Sequence, residues 1–244
     1  MRARAQRLIV EPLHIPIVPA QTSYLCDKPC PASMATISWR MAMMNPLSEL
    51  RADALRELGN IGLGGAVTAL SDLTGVLFTL EAPQVLPVEG TQLPQVWQLA
   101  PESPVVGTIS RITGDWPGEG TFLFPWDSAC VLWQLLVQMQ PNGLADLNEL
   151  YQSVINEVSN IMLGNYLRAI SQMTGFTLNM EPPAFAADMA MAVLSSVVVE
   201  AMYGQREVLA IETAFKTPHH QFTGYFLYLP EVGNLEKLFQ VLGI

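Results

Sequence analysis

From residue 49 the chain alternates between long stretches with apolar residues three and four apart and short stretches rich in Val, Ile, Thr and aromatics. Leu50, Ala54, Leu55, Leu58 and Ile61 recur near helical spacing and predict a helix with that face turned inward. Val105–Thr113 and Thr121–Phe124 have the composition of pleated, half-buried strands. Pro125 then opens an apolar helix from about Trp126 to Met139; a proline suits a helix start because its missing N–H would have no partner there. The second half reads alike. Val193–Val199, Val208–Phe215 and Tyr225–Leu229 are strand candidates, and Pro230 leads into a helix from about Glu231 to Leu242.

The likeness of the halves is literal. Residues 49–83 and 149–183, laid over each other without gaps, agree at 13 of 35 positions. Chance gives roughly two or three. Glu57/Glu157, Asn60/Asn160, Gly64/Gly164, Ser71/Ser171, Gly75/Gly175 and Pro83/Pro183 are among them. Each half reads helix, strands, helix, and neither has enough apolar faces to close a core alone. The predicted fold is therefore α/β. It is a two-layer sandwich of two helix-strand-helix halves, about 45–145 and 146–244, related by a pseudo-two-fold axis within one domain.

Residues 1–44 break this pattern. They hold Pro12, Pro16, Pro19, Pro29 and Pro31 without any period, and Glu11 and Pro12 interrupt the apolar stretch a secretory signal would need. The expectation is a disordered or spurious N-terminal extension. The charge divides at the same place. The first 44 residues carry five basic groups and two acidic ones, which leaves seven basic and twenty acidic groups beyond them. So acidic a body repels a phosphate backbone, which argues against nucleic acid and for a protein partner with a basic patch. No apolar run is long enough to predict a membrane span. Three cysteines form no disulfide framework, which fits a reducing cytoplasm. Cys26 and Cys30, with only His14 near them, do not make a metal site. His219 and His220 read as surface residues of a loop.

Candidate chemistry lies on the repeat helices. Glu57 and Asn60 are three apart, so they neighbour each other on one helical face, and Asp53 shares that side. Ser153, Glu157 and Asn160 repeat the arrangement. Solvated helix positions drift fastest, and Asn is a mediocre helix former; keeping it twice at mid-helix needs a reason. Gly59, Gly62, Gly64 and Gly65 crowd the same stretch, but no strand precedes them and no Lys-Ser/Thr follows, so a phosphate-cradling loop is excluded. Close packing by the sister helix or a docked partner is their expected use.

Asp53, Glu57, Asn60 and Pro83, and likewise Ser153, Glu157, Asn160 and Pro183, follow the spacing [D/S]-x3-E-x2-N-x22-P. This resembles the signature of the CheC/CheX/FliY phosphatases of bacterial chemotaxis, and the two intact copies resemble the CheC type most. The resemblance implies an enzyme that removes phosphate from the aspartate of a CheY-like response-regulator receiver. Asn60 or Asn160 would orient the attacking water, and Glu57 or Glu157 would pair with the receiver's active-site lysine. Asp53 and Ser153 would support that face, while Pro83 and Pro183 shape the chain without chemistry. The Mg²⁺ would come with the receiver, and no cofactor would belong to this chain. The resemblance leaves open a non-catalytic adaptor that binds CheD, or a flagellar-switch component.

Overall fold

The structure, a computed structural model, describes residues 49–81, 84–88, 97, 99–203, 208–231 and 233–244. All of them belong to one compact unit. The extension, with His14, Cys26 and Cys30, lies outside the described residues, as does Pro83.

Five helices are described: α1 (Glu49–Thr74), α2 (Trp126–Val137), α3 (Glu149–Thr174), α4 (Ala190–Tyr203) and α5 (Asn234–Leu242). The strands are β1 (Thr79–Leu80), β2 (Gln84–Val88), β3 (Pro104–Gly114), β4 (Gly118–Pro125), β5 (Leu178–Met180), β6 (Ala184–Met189), β7 (Val208–Lys216) and β8 (Gln221–Pro230). They form one antiparallel sheet in the order β1-β7-β8-β4-β3-β5, with β2 also on β7 and β6 also on β3. The two halves meet where β4 pairs β8, from Gly118↔Pro230 to Leu123↔Tyr225. The edges are exchanged: β1 and β2 of the first half run along β7 of the second, while β5 and β6 run along β3 of the first. Neither half owns a complete sheet, which is why neither could bury its apolar faces alone.

Residue alternation along the strands feeds two cores. Phe122, Phe124, Ile211, Phe215, Phe226 and Tyr228 meet Leu55, Leu58 and Leu70 of α1 and Ile155, Val158 and Ile170 of α3. The other face carries a smaller cluster, in which Leu123, Ala210 and Leu227 lie under Ala190, Val193 and Leu194 of α4, with Trp97. The two-layer expectation does not include this third, partial layer. Burial pushes the phenols of Tyr166, Tyr225 and Tyr228 up, so these side chains are neutral. Tyr228 donates to the Trp116 carbonyl at 2.7 Å.

Val193–Val199 is not a strand. It lies inside α4, and the place on β3 is taken by β6. Its β-branched residues suggested a pleated surface, but Ala190, Val193 and Leu194 are buried at i, i+3 and i+4, a helical stripe against the sheet. Packing overrode local preference. The other anticipated elements form with small shifts at their ends, Pro125 capping α2 as anticipated.

Helices α1 and α3 cross against each other on the larger core. A Cβ built on Gly62 would lie 2.7 Å from Tyr166 Cδ2 and 2.8 Å from Tyr166 Cα. The absence of a side chain at Gly62 therefore sets how closely the two backbones approach, and Gly65 faces Asn165 beside it. Gly62→Ala should destabilise the fold by about 1–3 kcal/mol through overpacking, although helix propensity alone would favour Ala. Urea denaturation of the two proteins measures this, and an unchanged or higher midpoint would contradict the crossing.

Candidate functional site

Both repeat helices have 26 residues and end in the same way. Gly75 and Gly175 take the left-handed conformation, with φ of 68° and 74°. Their N–H groups donate to the carbonyls of Ser71 and Ser171, at 2.9 Å in each case. Thr74 and Thr174 accept from Val76 and Phe176 N–H, both at 3.2 Å. At the start of α3, the Asn148 side chain accepts from the N–H of Leu150 and Tyr151. Ser71, Thr74 and Gly75, with their counterparts, are thus retained to finish a helix. Leu63 and Leu163 are retained because both are buried in the core.

Glu57, Asn60 and their counterparts have no such duty. All four side chains are exposed, on the sides of α1 and α3 turned away from the sheet. Among the described residues nothing hydrogen-bonds or ion-pairs with them. The helices bring Glu and Asn together within each half, one turn apart. Each pair therefore offers a carboxylate and an amide to whatever meets that face. The amide can donate and accept at once.

The supporting positions differ between the halves. Asp53 is exposed and accepts from Arg56 at 2.6 Å. Ser153 is exposed at the matching place, and Asn156 stands where Arg56 does. The Asp53–Arg56 pair cancels its own charge, so each face keeps one net negative charge, at Glu57 or Glu157. Pro183 is half-buried in the connection between β5 and β6, away from any polar role. His219 and His220 are exposed in the turn between β7 and β8. No group of three or more His, Cys, Asp or Glu side chains among the described residues could hold a metal ion. No described helix is long and apolar enough to cross a membrane.

The inward face of α1 departs from the periodic reading in two places. Leu55 and Leu58 are buried, but Leu50 is 59% exposed and Ile61 is 41% exposed. Both lie toward the Glu57–Asn60 side. The glycines divide as well. Gly62 and Gly65 face α3, whereas a Cβ on Gly64 or Gly164 would meet nothing within 4 Å. A glycine inside a helix costs about 1 kcal/mol relative to Ala, and at these two places no contact among the described residues offsets that.

The CheC-like family model matches the chain twice, over residues 50–86 and 150–186, which are the two repeats. The chain is 29% identical over 207 residues to the CheY-P phosphatase CheC of Bacillus subtilis, spanning 83% of this chain and 99% of that protein. It is 26% identical over 141 residues to the flagellar motor switch phosphatase FliY of the same organism, spanning 57% of this chain and 36% of FliY. The crystal structure of Thermotoga maritima FliY shares the fold, with a TM-score of 0.63 at 18% identity, over 82% of this chain and 98% of that one. Both repeats thus match the CheC-like family model in the same register, and CheC of Bacillus subtilis aligns with this chain almost end to end.

Proposed function

We propose that this chain accelerates hydrolysis of the aspartyl phosphate on a CheY-like receiver, using α1 and α3 as two equivalent docking helices. The observation that carries the reading is the doubled Glu/Asn pair, exposed and without a partner among the described residues, at one register in both halves. The names of the relatives support it: CheC is a CheY-P phosphatase and FliY a flagellar motor switch phosphatase.

The chemistry asks little of this chain. Water attacks phosphorus, a new P–O bond forms, and the bond between phosphorus and the aspartate oxygen breaks. The products are inorganic phosphate, which keeps the water's oxygen and protons, and a free aspartate carboxylate. The Mg²⁺ that balances the phosphoryl charge belongs to the receiver. An ordered water in line with phosphorus is what remains to be supplied. Asn60 or Asn160 hydrogen-bonds that water and fixes its direction without titrating, as the glutamine of GTPases does. Glu57 or Glu157 pairs with a receiver lysine and holds the helix in place. A non-catalytic adaptor, holding CheD or sitting at the flagellar switch, would use the same face but leave the hydrolysis rate unchanged.

Phosphate release from a receiver charged with a small acyl phosphate tests this. Asn60→Ala and Asn160→Ala should each remove one site's share of the acceleration. The double variant should fall close to the receiver's spontaneous rate. If the wild-type protein leaves that rate unchanged, the adaptor reading replaces this one. If one single variant already abolishes the acceleration, the two helices are not equivalent.

Glu57→Ala with Glu157→Ala should act differently. An ion pair formed on encounter governs docking, so KM for the receiver should rise about tenfold or more with a smaller change in kcat. All four side chains are exposed, so thermal unfolding of these variants should stay within about 0.5 kcal/mol of wild type. A change confined to kcat in the Glu variants would overturn the division of roles.

A further inference from the structure

The two halves share more on this face than Glu and Asn. At 3.6 residues per turn, positions 50, 53, 57, 60, 61 and 64 of α1 fall within about 100° of arc, as do their counterparts in α3. Leu50, Glu57, Asn60, Ile61 and Gly64 are identical in both copies. Leu50, Ile61 and Leu150 are exposed apolar side chains, 59%, 41% and 42% accessible. Gly64 and Gly164 stand one turn beyond the Asn, where an added Cβ meets open space. Gly62 and Gly65 have a packing reason within the chain, and neither recurs in the second half, where Met162 and Asn165 stand. The glycine that does recur is the one without such a reason.

We propose that Gly64 and Gly164 are clearance positions for the receiver: the lack of a side chain lets its surface touch the helix backbone and so fixes how deep Asn60 or Asn160 reaches. This rests on the proposed phosphatase reading and sharpens it. Asparagine is short, so its amide meets a water in the receiver's site only if the helix backbone itself comes close. A methyl group one turn away would hold the helix off by a fraction of its own width. Displacements of about 1 Å can cost a hundredfold in rate when catalysis is positioning. Leu50 and Ile61 extend the same footprint with apolar contact on either side of Glu57. Gly64 and Gly164 are thus positioning residues that act through the neighbouring Asn.

The two possible duties of these glycines predict opposite stability changes. In the double variant Gly64→Ala/Gly164→Ala, helix propensity rises and nothing clashes, so the melting temperature should rise by about 2 °C or more. Over the same substitutions, kcat/KM for phosphate release from a CheY-type receiver of the same organism should fall at least tenfold. The dissociation constant for the receiver charged with beryllofluoride should rise as well. Gly62→Ala serves as the contrast, with a lower melting temperature. A falling melting temperature in the double variant would show an internal duty for these glycines and overturn the proposal. So would a stabilised variant with wild-type rate and affinity, which would leave the phosphatase reading intact. If the wild-type protein binds the charged receiver without accelerating release, the phosphatase reading fails while the affinity of the glycine variant still decides the clearance role. If it neither binds nor accelerates, both fall.

Discussion

The crossing of α1 and α3 at Gly62 and Tyr166 is the contact on which the rest depends. The side chain of Tyr166 is fully buried, stacks edge-on against Phe226 of β8 and lies against the Gly62 backbone. One residue therefore joins both repeat helices to the central strands. Any widening of that crossing would withdraw Leu58 and Val158 from the sheet and rotate the outer faces of both helices. Those faces carry Glu57, Asn60, Glu157 and Asn160, so the orientation of the exposed pairs is set by a packing contact on the opposite side of each helix.

Exchange of elements between the halves strengthens this dependence. The sheet edges are swapped, and so are the flanking helices. Trp133 of α2 donates to the Tyr151 carbonyl of α3 at 2.9 Å, with the rings 5.4 Å apart. At the matching position of α1, Arg51 makes two hydrogen bonds to Glu236 of α5, at 2.9 and 2.7 Å, and lies over the Phe239 ring at 4.6 Å. The job is the same, tying a repeat helix to the closing helix of the other half, while the chemistry differs. Positions 51 and 151 were free to diverge because packing accepts several solutions. Positions 57, 60 and 64 did not diverge.

That contrast explains what could be read from sequence. The two helices, strands β3, β4, β7 and β8, the proline-led helix α2 and the body of α5 were legible because their periodicity or punctuation is strong and local, whereas Pro230 ends β8 and α5 begins only at Asn234, after Gly233. The exchange of edge strands was not, since pairing partners leave no mark on so short a strand as Thr79–Leu80. Val193–Val199 misled because a β-branched run seated on a sheet looks the same to propensity whether it is helical or extended. Ile61 was assigned inward by spacing alone. Its exposure follows from the crossing, where Gly62 and not Ile61 occupies the contact with α3. The candidate pairs stood out only because the duplication supplies an internal comparison.

An exposed helix face suits the proposed reaction, in which metal, phosphate and lysine would all come with the receiver. A carboxylate and an amide on a convex surface cannot desolvate a substrate or hold a metal ion. They can complete a site that is already nearly assembled. Catalytic power on the proposed mechanism would then come from geometry at contact, and the features that fix that geometry become part of the machinery: the rigid helix, the caps at Gly75 and Gly175, and the bare backbone at Gly64 and Gly164. Such a device is easily duplicated, since a second helix in the same register reproduces the whole of it. Selection on it would act on surface shape more than on titration, which is consistent with two retained glycines beside two retained asparagines on helices that diverged at 16 of their 26 paired positions.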